Sequence, residues 1–393
     1  MRISGIVAEY NPFHSGHEKH ILLTREKTGA DLIVCAISGN FVQRGEPAVF
    51  DKWTRTACAL KCGADAVLEL PILYSIQSAE GFAAGGVAIL DAAGAEAISF
   101  GCETEDVDSL TRAAEILINE TDEYKQDLKR YLSEGHSFPK ARMKAAFPYL
   151  PEEITMPNAI LGIEYLKAIL RSGSCMKPYP IKRIGEDYHS ADIYGILPSA
   201  TAIRKAFANH HDMLALGAMP TPCARYITKL LREGLLPVMP DCFDKELIFT
   251  LRREGTEYIK KLPDVSEGLE NRIYNASLTS TTRKELIEKV KTKRYTYTRI
   301  SRILLYALLG ITRNMIAIRN HSKIDHIRVL GVKNAGVLSA LSKTARVPLV
   351  VGSITSSSYP DIDIIASNLY ALCQKKAPFC TTARDFTEKL IIE

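Results

Sequence analysis

The chain has 393 residues, of which 46% are hydrophobic and 24% charged, and a formal net charge of +5. At roughly 150 residues per domain this length predicts two or three domains, and the ordinary composition excludes collagen, coiled-coil and disordered classes. The apolar runs are shorter than the roughly 20 residues that span a bilayer, and the N-terminus lacks a signal-peptide pattern, so we expect a cytoplasmic protein without a membrane segment.

Strand and helix patterns alternate through the first half of the sequence. Predicted strands are Ile3 to Val7, Leu32 to Ser38, Ala66 to Glu69 and Ala97 to Phe100. Predicted helices are Gly16 to Lys27, Lys52 to Gly63, Gln77 to Gly94, Asp106 to Asn119 and Asn158 to Arg171. This alternation is typical of a parallel α/β sheet, in which ligands bind beyond the carboxyl ends of the strands. We therefore expect the segments after the four strands to meet at one pocket.

Helix breakers at residues 208 to 222 indicate a boundary, which we place at residue 220. The second half is mainly helical, with helices predicted at Asp244 to Glu254, Leu262 to Ala276, Thr282 to Val290 and Thr298 to Leu309. Strands at Ile327 to Leu330 and Val347 to Val351 enclose a helix at Gly336 to Lys343, and a last helix is predicted at Asp361 to Cys373. The predicted domains are thus 1–220, 221–325, and a small βαβ appendage at 326–393.

Charge is distributed unevenly between the two halves. Residues 1–220 contain 22 Lys and Arg against 28 Asp and Glu, whereas residues 281–330 contain 12 basic residues against 3 acidic ones. Such a concentration of cations interleaved with tyrosines suits a polyanion such as RNA, although a solvated basic helix has the same pattern. The candidate RNA-binding residues are Lys291, Lys293, Arg294, Arg299, Arg302, Arg313 and Arg319.

The most informative motif follows the first strand, where Asn11-Pro12 ends the strand and His14-Ser-Gly-His17 precedes a helix. Gly16 lets a ligand approach the backbone, and the start of the helix provides amides and a positive dipole end for phosphates. His14 and His17 lie one turn apart, where both can donate to phosphate oxygens during displacement at an α-phosphorus. The motif therefore predicts adenylyl transfer without a protein nucleophile.

Other readings of the sequence are weaker. His17-Glu-Lys-His20 has one residue too few between its histidines for a zinc-protease helix, and no further ligand pattern completes a metal site; a structural histidine cluster stays open as an alternative. No glycine-rich dinucleotide or P-loop motif is present. The nine cysteines have no paired CxxC spacing and are expected to be reduced. We predict no metal site.

Several ordered blocks resemble one family. They are Gly5 to His17 with its NPFHSGH core, Ser38-Gly-Asn-Phe-Val-Gln-Arg-Gly-Glu-Pro-Ala48, Asp51-Lys-Trp-Thr-Arg-Thr56, Glu69-Leu-Pro71, Gln77-Ser-Ala-Glu80, Phe100-Gly-Cys-Glu103, Pro157-Asn-Ala-Ile-Leu-Gly-Ile-Glu-Tyr-Leu166, Lys182-Arg-Ile-Gly185 and the basic Tyr295-Thr-Tyr-Thr-Arg-Ile-Ser-Arg302. The first block resembles the HxGH superfamily of adenylylating enzymes, and together the blocks resemble the bacterial tRNA(Met) cytidine acetate ligases. The resemblance implies a Rossmann-like α/β sheet of the HxGH type, followed by the basic helical region.

The resemblance also implies a reaction and its site. Such an enzyme uses ATP, carried with Mg²⁺, to convert acetate into acetyl-adenylate, and passes the acetyl group to N4 of the wobble cytidine of elongator tRNA(Met). By this resemblance, the ATP site of the chain consists of Val7, Ala8, Glu9, Tyr10, Asn11, Pro12, Phe13, His14, Ser15, Gly16, His17, His20, Gly101, Asn158 and Arg183.

Two cations after the second strand complete the predicted catalytic set with His14 and His17. Lys52 and Arg55 are three residues apart on a predicted helix, so their side chains point in the same direction and could hold the departing pyrophosphate. The alternative is that Asp51 caps this helix and that the two basic side chains are simply solvated. Asn40 and Gln43 are offered as acetate ligands. The family's later Ser-Ser-Thr-x-Ile-Arg signature is altered here to Ser199-Ala-Thr-Ala-Ile-Arg204, so Ser199 can equally be a plain helix cap.

Two alternative functions remain from the sequence. A nucleotidyltransferase acting on a small phosphorylated metabolite needs little more than the first domain, which leaves the basic half idle. A non-catalytic RNA-binding protein does not need the intact His14, Gly16 and His17.

Overall fold

A computed structural model describes residues 1–136, 138–146, 152–183, 199–266, 268–293, 295–354 and 361–393. Its strands are β1 (Ile3–Ala8), β2 (Leu32–Ser38), β3 (Phe41–Val42), β4 (Glu46–Pro47), β5 (Ala66–Leu70), β6 (Ala97–Cys102), β7 (Lys177–Lys182), β8 (Ile327–Val332), β9 (Leu349–Val351) and β10 (Ile391–Ile392).

The helices of the first region are α1 (Ser15–Thr28), α2 (Lys52–Lys61), α3 (Ile72–Ser75), α4 (Ala79–Ala92), α5 (Val107–Asn119), α6 (Asp122–Ser133), α7 (Phe138–Ala146), α8 (Pro157–Ser172), α9 (Ala200–Ala208) and α10 (Asp212–Gly217). Those that follow are α11 (Thr221–Glu233), α12 (Asp244–Ile259), α13 (Leu269–Thr279), α14 (Arg283–Val290), α15 (Tyr297–Leu309), α16 (Arg313–His321), α17 (Ala335–Thr344), α18 (Asp361–Ala371) and α19 (Arg384–Thr387). Single 3₁₀ turns lie at Glu152–Thr155 and Pro240–Phe243.

The main sheet confirms the predicted α/β class. Its order is β10-β8-β5-β2-β1-β6-β7, with β9 paired to β8, and the strands from β5 through β7 are parallel. Every residue of β2 is buried, because Val34 and Ala36 pack under one face of the sheet while Ile33, Cys35 and Ile37 pack under the other. Burial on both faces explains why the strand sequence is continuously apolar.

The C-terminal segment extends this same sheet. Strand β8 pairs antiparallel to β5 with an irregularity at Val67/Leu68, and β9 and β10 both pair parallel to β8. The predicted βαβ unit is therefore present as β8-α17-β9, but it lies against the first region, and residues 326–393 have no separate sheet among the described strands.

In addition to the two apolar clusters on the two faces of the main sheet, a third apolar cluster lies among the helices after residue 240. It joins residues of α12, α13, α14 and α15 with Ile362 of α18 and with Phe41 of β3. The predicted helix at 262 to 276 is wrong in its first half, since α13 begins at Leu269. Pro263 and the left-handed backbone of Asp264 (φ 61°) interrupt a helix there.

The helical region contacts the loop between β2 and α2 directly. Gly45 has a φ of 74°, and a Cβ on it would lie 2.5 Å from the backbone nitrogen of Arg302 in α15. Only glycine permits this approach. Among the described residues no single helix is long and apolar enough to cross a membrane; α15 and α16 together have the length and composition but bend by 97°.

Candidate active site

The loop from β1 to α1 is held from two sides. Asn11 Oδ1 accepts from the Val49 amide at 2.8 Å, and the Asn11 carbonyl accepts from Arg204 Nη1 at 2.7 Å. Tyr10, at the start of the loop, has a positive φ of 48° and a ring that is 1% exposed. An unusual backbone conformation fixed by this many partners indicates a loop with a defined shape before any ligand binds.

His14 and His17 form a reciprocal cap at the start of α1. His14 Nδ1 accepts from the Gly16 amide at 3.1 Å, and His17 Nδ1 accepts from the His14 amide at 3.3 Å. The two rings stack with centroids 3.8 Å apart. Because both Nδ1 atoms accept, each neutral ring carries its proton on Nε2, so the pair offers two N–H donors.

The cap also uses amides that the sequence analysis expected to be free for phosphate. The Gly16 amide bonds to His14 Nδ1, and the His17 amide bonds to the His14 carbonyl at 2.8 Å. In this structure the imidazoles, rather than these two amides, are the donors that remain for a ligand.

The three histidines of the site are neutral. Burial lowers the pKa of His14 to about 3 and that of His20 to about 4, and nearby Arg183 adds to both shifts. Burial, with His14 and Arg183, also lowers the pKa of His17 well below its ordinary value. Neutral imidazoles can still donate hydrogen bonds to phosphate, and the positive charge of the site comes from arginine.

We expect the histidine resonances of His14, His17 and His20 not to shift between pH 8 and pH 5, because their folded-state pKa values lie below this window. The unfolded chain takes up protons near pH 6.5, so stability should fall as the pH is lowered towards 4. NMR of ¹³C-labelled histidine, assigned with His14→Asn and His20→Gln variants, measures this. A resonance from any of these three histidines that titrates near pH 6.5 would contradict the burial argument.

His20 is bonded to the sheet. Its Nε2 lies 3.1 Å from Ser99 Oγ, which also accepts from Thr24 Oγ1 at 2.9 Å. Farther along α1, Ser4 Oγ donates to Thr28 Oγ1 at 2.8 Å. This buried polar line fixes the rotation of α1 on β1 and β6, so His20 positions the helix that carries His17.

The structure places the other predicted ATP-site residues in or near the loops that follow β1, β6 and β7 and precede α8. Val7 and Ala8 end β1, residues 9 to 14 form the loop, Ser15, Gly16, His17 and His20 are in α1, Gly101 is in β6, Asn158 is in α8, and Arg183 follows β7. The Arg183 side chain lies against Gly101, where a Cβ would be 3.4 Å from Arg183 Cγ. Within the described part of the chain the Arg183 guanidinium has no hydrogen-bond partner.

Glu103 holds Asn158 in place. Its carboxylate accepts from Asn158 Nδ2 at 2.7 Å, from the Asn158 amide at 3.2 Å and from the Ala159 amide at 2.7 Å. Since Nδ2 is engaged by Glu103, Oδ1 is the atom of the Asn158 amide that can accept from a ligand. Sequence analysis missed this role because Glu103 was only part of a family block.

The structure does not present Lys52 and Arg55 as the sequence analysis expected. Lys52 is 0% exposed, and its Nζ donates to Glu69 and Asp385 at 2.6 Å each. Arg55 is 1% exposed and donates to the carbonyls of Glu9, Gly39 and Phe50. Both cations are thus satisfied by the protein, and we do not include them among the pyrophosphate ligands.

The residues near these two cations also have internal partners. Asp51 caps α2 by accepting from the Thr54 amide at 2.7 Å. Asn40 Oδ1 accepts from the Lys52 amide at 2.8 Å, while its buried Nδ2 has no partner in the part of the chain that is described. Ser199 caps α9 by accepting from the Ala202 amide, which supports the helix-cap alternative.

The candidate RNA-binding residues fall into two groups. Lys291 and Lys293 are exposed, whereas Arg294 lies outside the described residues. The other arginines contact residues of the protein itself. Arg299 and Arg302 donate hydrogen bonds to Asp264, and Arg313 donates to the carbonyls of Leu262 and Val265. Arg319 stacks on the ring of Tyr74. Part of the basic charge therefore stabilises the segment 262–266.

Comparison with known proteins agrees with this geometry. The family model described as HIGH Nucleotidyl Transferase matches residues 1–385. The parallel sheet, the paired histidines at the start of α1 and the arginines around them define the chain as a nucleotidyltransferase-type α/β protein.

More specific relatives are found along the whole chain. The tRNA(Met) cytidine acetate ligase of Acetivibrio thermocellus is 39% identical, with all of both chains covered, and that of Clostridium perfringens (strain ATCC 13124) is 38% identical over 94% of this chain and 95% of its own. The crystal structure of apo Thermotoga maritima TmcAL superposes with a TM-score of 0.93 at 32% identity over both full chains. A form bound with alpha-thio ATP gives 0.89 at the same identity and coverage. The chain belongs to the tRNA(Met) cytidine acetate ligase family.

Proposed function

We propose that this protein uses ATP to activate acetate as acetyl-adenylate and transfers the acetyl group to N4 of the wobble cytidine of elongator tRNA(Met). The observation that carries the proposal is the pair of Nε2–H donors of His14 and His17 close to the Arg183 guanidinium, which has no hydrogen-bond partner among the residues that the structure describes. This arrangement fits a triphosphate whose α-phosphorus is attacked by a carboxylate, since the donors stabilise charge that grows on phosphate oxygens.

In this proposal acetate attacks the α-phosphorus of ATP, so a carboxyl-phosphate bond forms and pyrophosphate leaves. Asn158 Oδ1 and Gly101 lie at the strand end beside Arg183, where the nucleoside part of ATP would rest. Mg²⁺ would arrive with ATP and neutralise the leaving pyrophosphate. The buried Asn40 Nδ2 is the donor that we assign to acetate.

The test is to incubate the protein with ATP, Mg²⁺, labelled acetate and purified elongator tRNA(Met), with initiator tRNA(Met) as control. Acetate-dependent exchange of pyrophosphate into ATP reports the first half-reaction, and label in N4-acetylcytidine reports the second. We expect both with elongator tRNA(Met). Exchange that depends on a phosphorylated metabolite rather than on acetate would contradict the proposal.

For the RNA surface we expect the Lys291→Glu/Lys293→Glu double variant to weaken tRNA binding and to reduce the salt slope by about one for each lysine. Both side chains are exposed, and their loss breaks none of the internal bonds that hold segment 262–266. Filter binding across salt concentrations measures the slope, and Lys125→Glu on α6 is the matched exposed control. An unchanged slope in the double variant would place the RNA contact elsewhere.

A further inference from the structure

The carboxylate of Glu9 is fixed at the carboxyl end of β1. Oε1 accepts from the Gln43 amide at 2.9 Å, and the backbone carbonyl of the same residue accepts from Arg55 Nη1 at 2.6 Å. Oε2 has no hydrogen-bond partner within the described ranges. One oxygen therefore orients the group, and the other is left for a ligand.

Glu9 lies on the same loop as His14 and shares a charged neighbour with it. Arg204, which donates to the Asn11 carbonyl, acts electrostatically on both Glu9 and His14. In the described part of the chain Glu9 nevertheless has no ion pair within 4.0 Å. Glu9 is half-buried, and a carboxylate partly withdrawn from water that pairs with no cation contributes little to stability, so it needs another reason to be there.

Among the described residues, the charged and titratable groups that act on Glu9 come from three helices and from the turn between β3 and β4. They are Arg44 between β3 and β4, Arg55 of α2, Arg204 of α9 and Tyr165 of α8. Burial raises the pKa of Glu9 above its ordinary value, and the Gln43 amide and the three arginines oppose that shift without cancelling it. A carboxylate with a raised pKa is a stronger base than one in water.

We propose that Glu9 accepts the proton released when the RNA amine attacks acetyl-adenylate, an inference that rests on the proposed function. The cytidine N4 nitrogen forms a bond to the acetyl carbonyl carbon, and the bond from that carbon to the phosphate oxygen breaks. AMP leaves with the electron pair. The proton lost by the amine passes to Glu9 Oε2 and then to solvent, so the enzyme ends unchanged.

The base is needed because the exocyclic amine of cytosine is a weak nucleophile, whose lone pair is delocalised into the ring. Without proton removal the attack gives a tetrahedral adduct with a positively charged nitrogen, and this amine is expelled more readily than AMP. General-base catalysis of such a step contributes about 10²- to 10⁴-fold. The His14 and His17 donors act on the phosphate and leave this role to a carboxylate.

The experiment supplies chemically prepared acetyl-adenylate together with elongator tRNA(Met) and follows single-turnover transfer from pH 4.5 to 8. We expect Glu9→Gln to slow transfer by at least about 100-fold relative to wild type and to remove the decline at acidic pH. Glu9→Asp should retain that decline with a smaller loss of rate. Glu46→Gln, which alters a carboxylate of the neighbouring β4 paired with Arg283, is the matched control.

Acetate-dependent pyrophosphate exchange is measured on the same proteins, with thermal unfolding to verify folding. A larger loss in transfer than in exchange, together with the altered pH profile, supports the proposal. Equal losses in both half-reactions, or a Glu9→Gln profile that keeps its acid limb, overturn it. Wild-type protein that transfers no acetyl group refutes the proposed function itself, which is a separate outcome.

Discussion

Replacement of His14 by alanine is expected to lower acetate-dependent pyrophosphate exchange by about 10²- to 10³-fold. The change removes one of two Nε2–H donors that face the growing charge at the α-phosphate, and a single such donor is worth this much in comparable sites. Binding of tRNA should stay near the wild-type value, because the basic helical region does not contain His14. Exchange and filter binding on one preparation measure the two effects.

The same substitution removes a helix cap, so a control must separate the two roles. His14 Nδ1 accepts from the Gly16 amide, and loss of such a cap costs about 1 kcal/mol. His14→Asn restores a capping oxygen but not the Nε2 donor. We expect His14→Asn to unfold near the wild-type midpoint while exchange stays low. Recovery of exchange in this variant would show that His14 acts only as a cap.

The local sequence was sufficient to predict those strands whose own residues determine their structure. β1, β2, β5 and β6 appear within about a residue or two of their predicted bounds, because their apolar runs are buried on both faces of a parallel sheet. The family resemblance, borne by the HSGH block, likewise led to the correct class. Elements set by short-range pattern are therefore predictable from one sequence.

β7 was missed because Pro178 and Pro180 argue against a strand. The structure places it at the edge of the sheet, paired only to β6 among the described strands, where a proline needs no second partner. Position in the sheet decides whether proline is tolerated, and that position is not visible in the local sequence.

The roles of the cations were harder to predict, since their partners are remote in sequence. Lys52 bonds to Asp385, 333 residues away, and Arg299 bonds to the Asp264 carbonyl 35 residues away. A count of basic residues cannot distinguish an arginine that holds a loop from one that meets a phosphate. Exposure makes that distinction, which is why Lys291 and Lys293 remain in the proposed RNA surface while Arg299 carries a structural role.

Replacement of Lys52 by methionine is expected to lower the free energy of unfolding by about 3–5 kcal/mol, the usual cost of breaking a buried ion pair. Lys52 and Arg328 share the carboxylates of Glu69 and Asp385, all within 3% exposure. Burial alone would raise the pKa of Asp385, but Lys52 and Arg328 outweigh it and hold that pKa below its ordinary value. Without Lys52 the carboxylates lose their main neutralising charge.

Lys61→Met on the same helix is the matched control, because Lys61 pairs with Glu393 with 27% of its side chain exposed, and such pairs are worth about 1 kcal/mol or less. Urea unfolding of both variants gives the comparison. The network joins α2 and β5 to β8 and α19, so its loss should loosen the C-terminal strands from the sheet. If Lys52→Met instead unfolds like wild type and loses only pyrophosphate exchange, Lys52 is the catalytic cation that the sequence predicted, and its ion pairs must open when ATP binds.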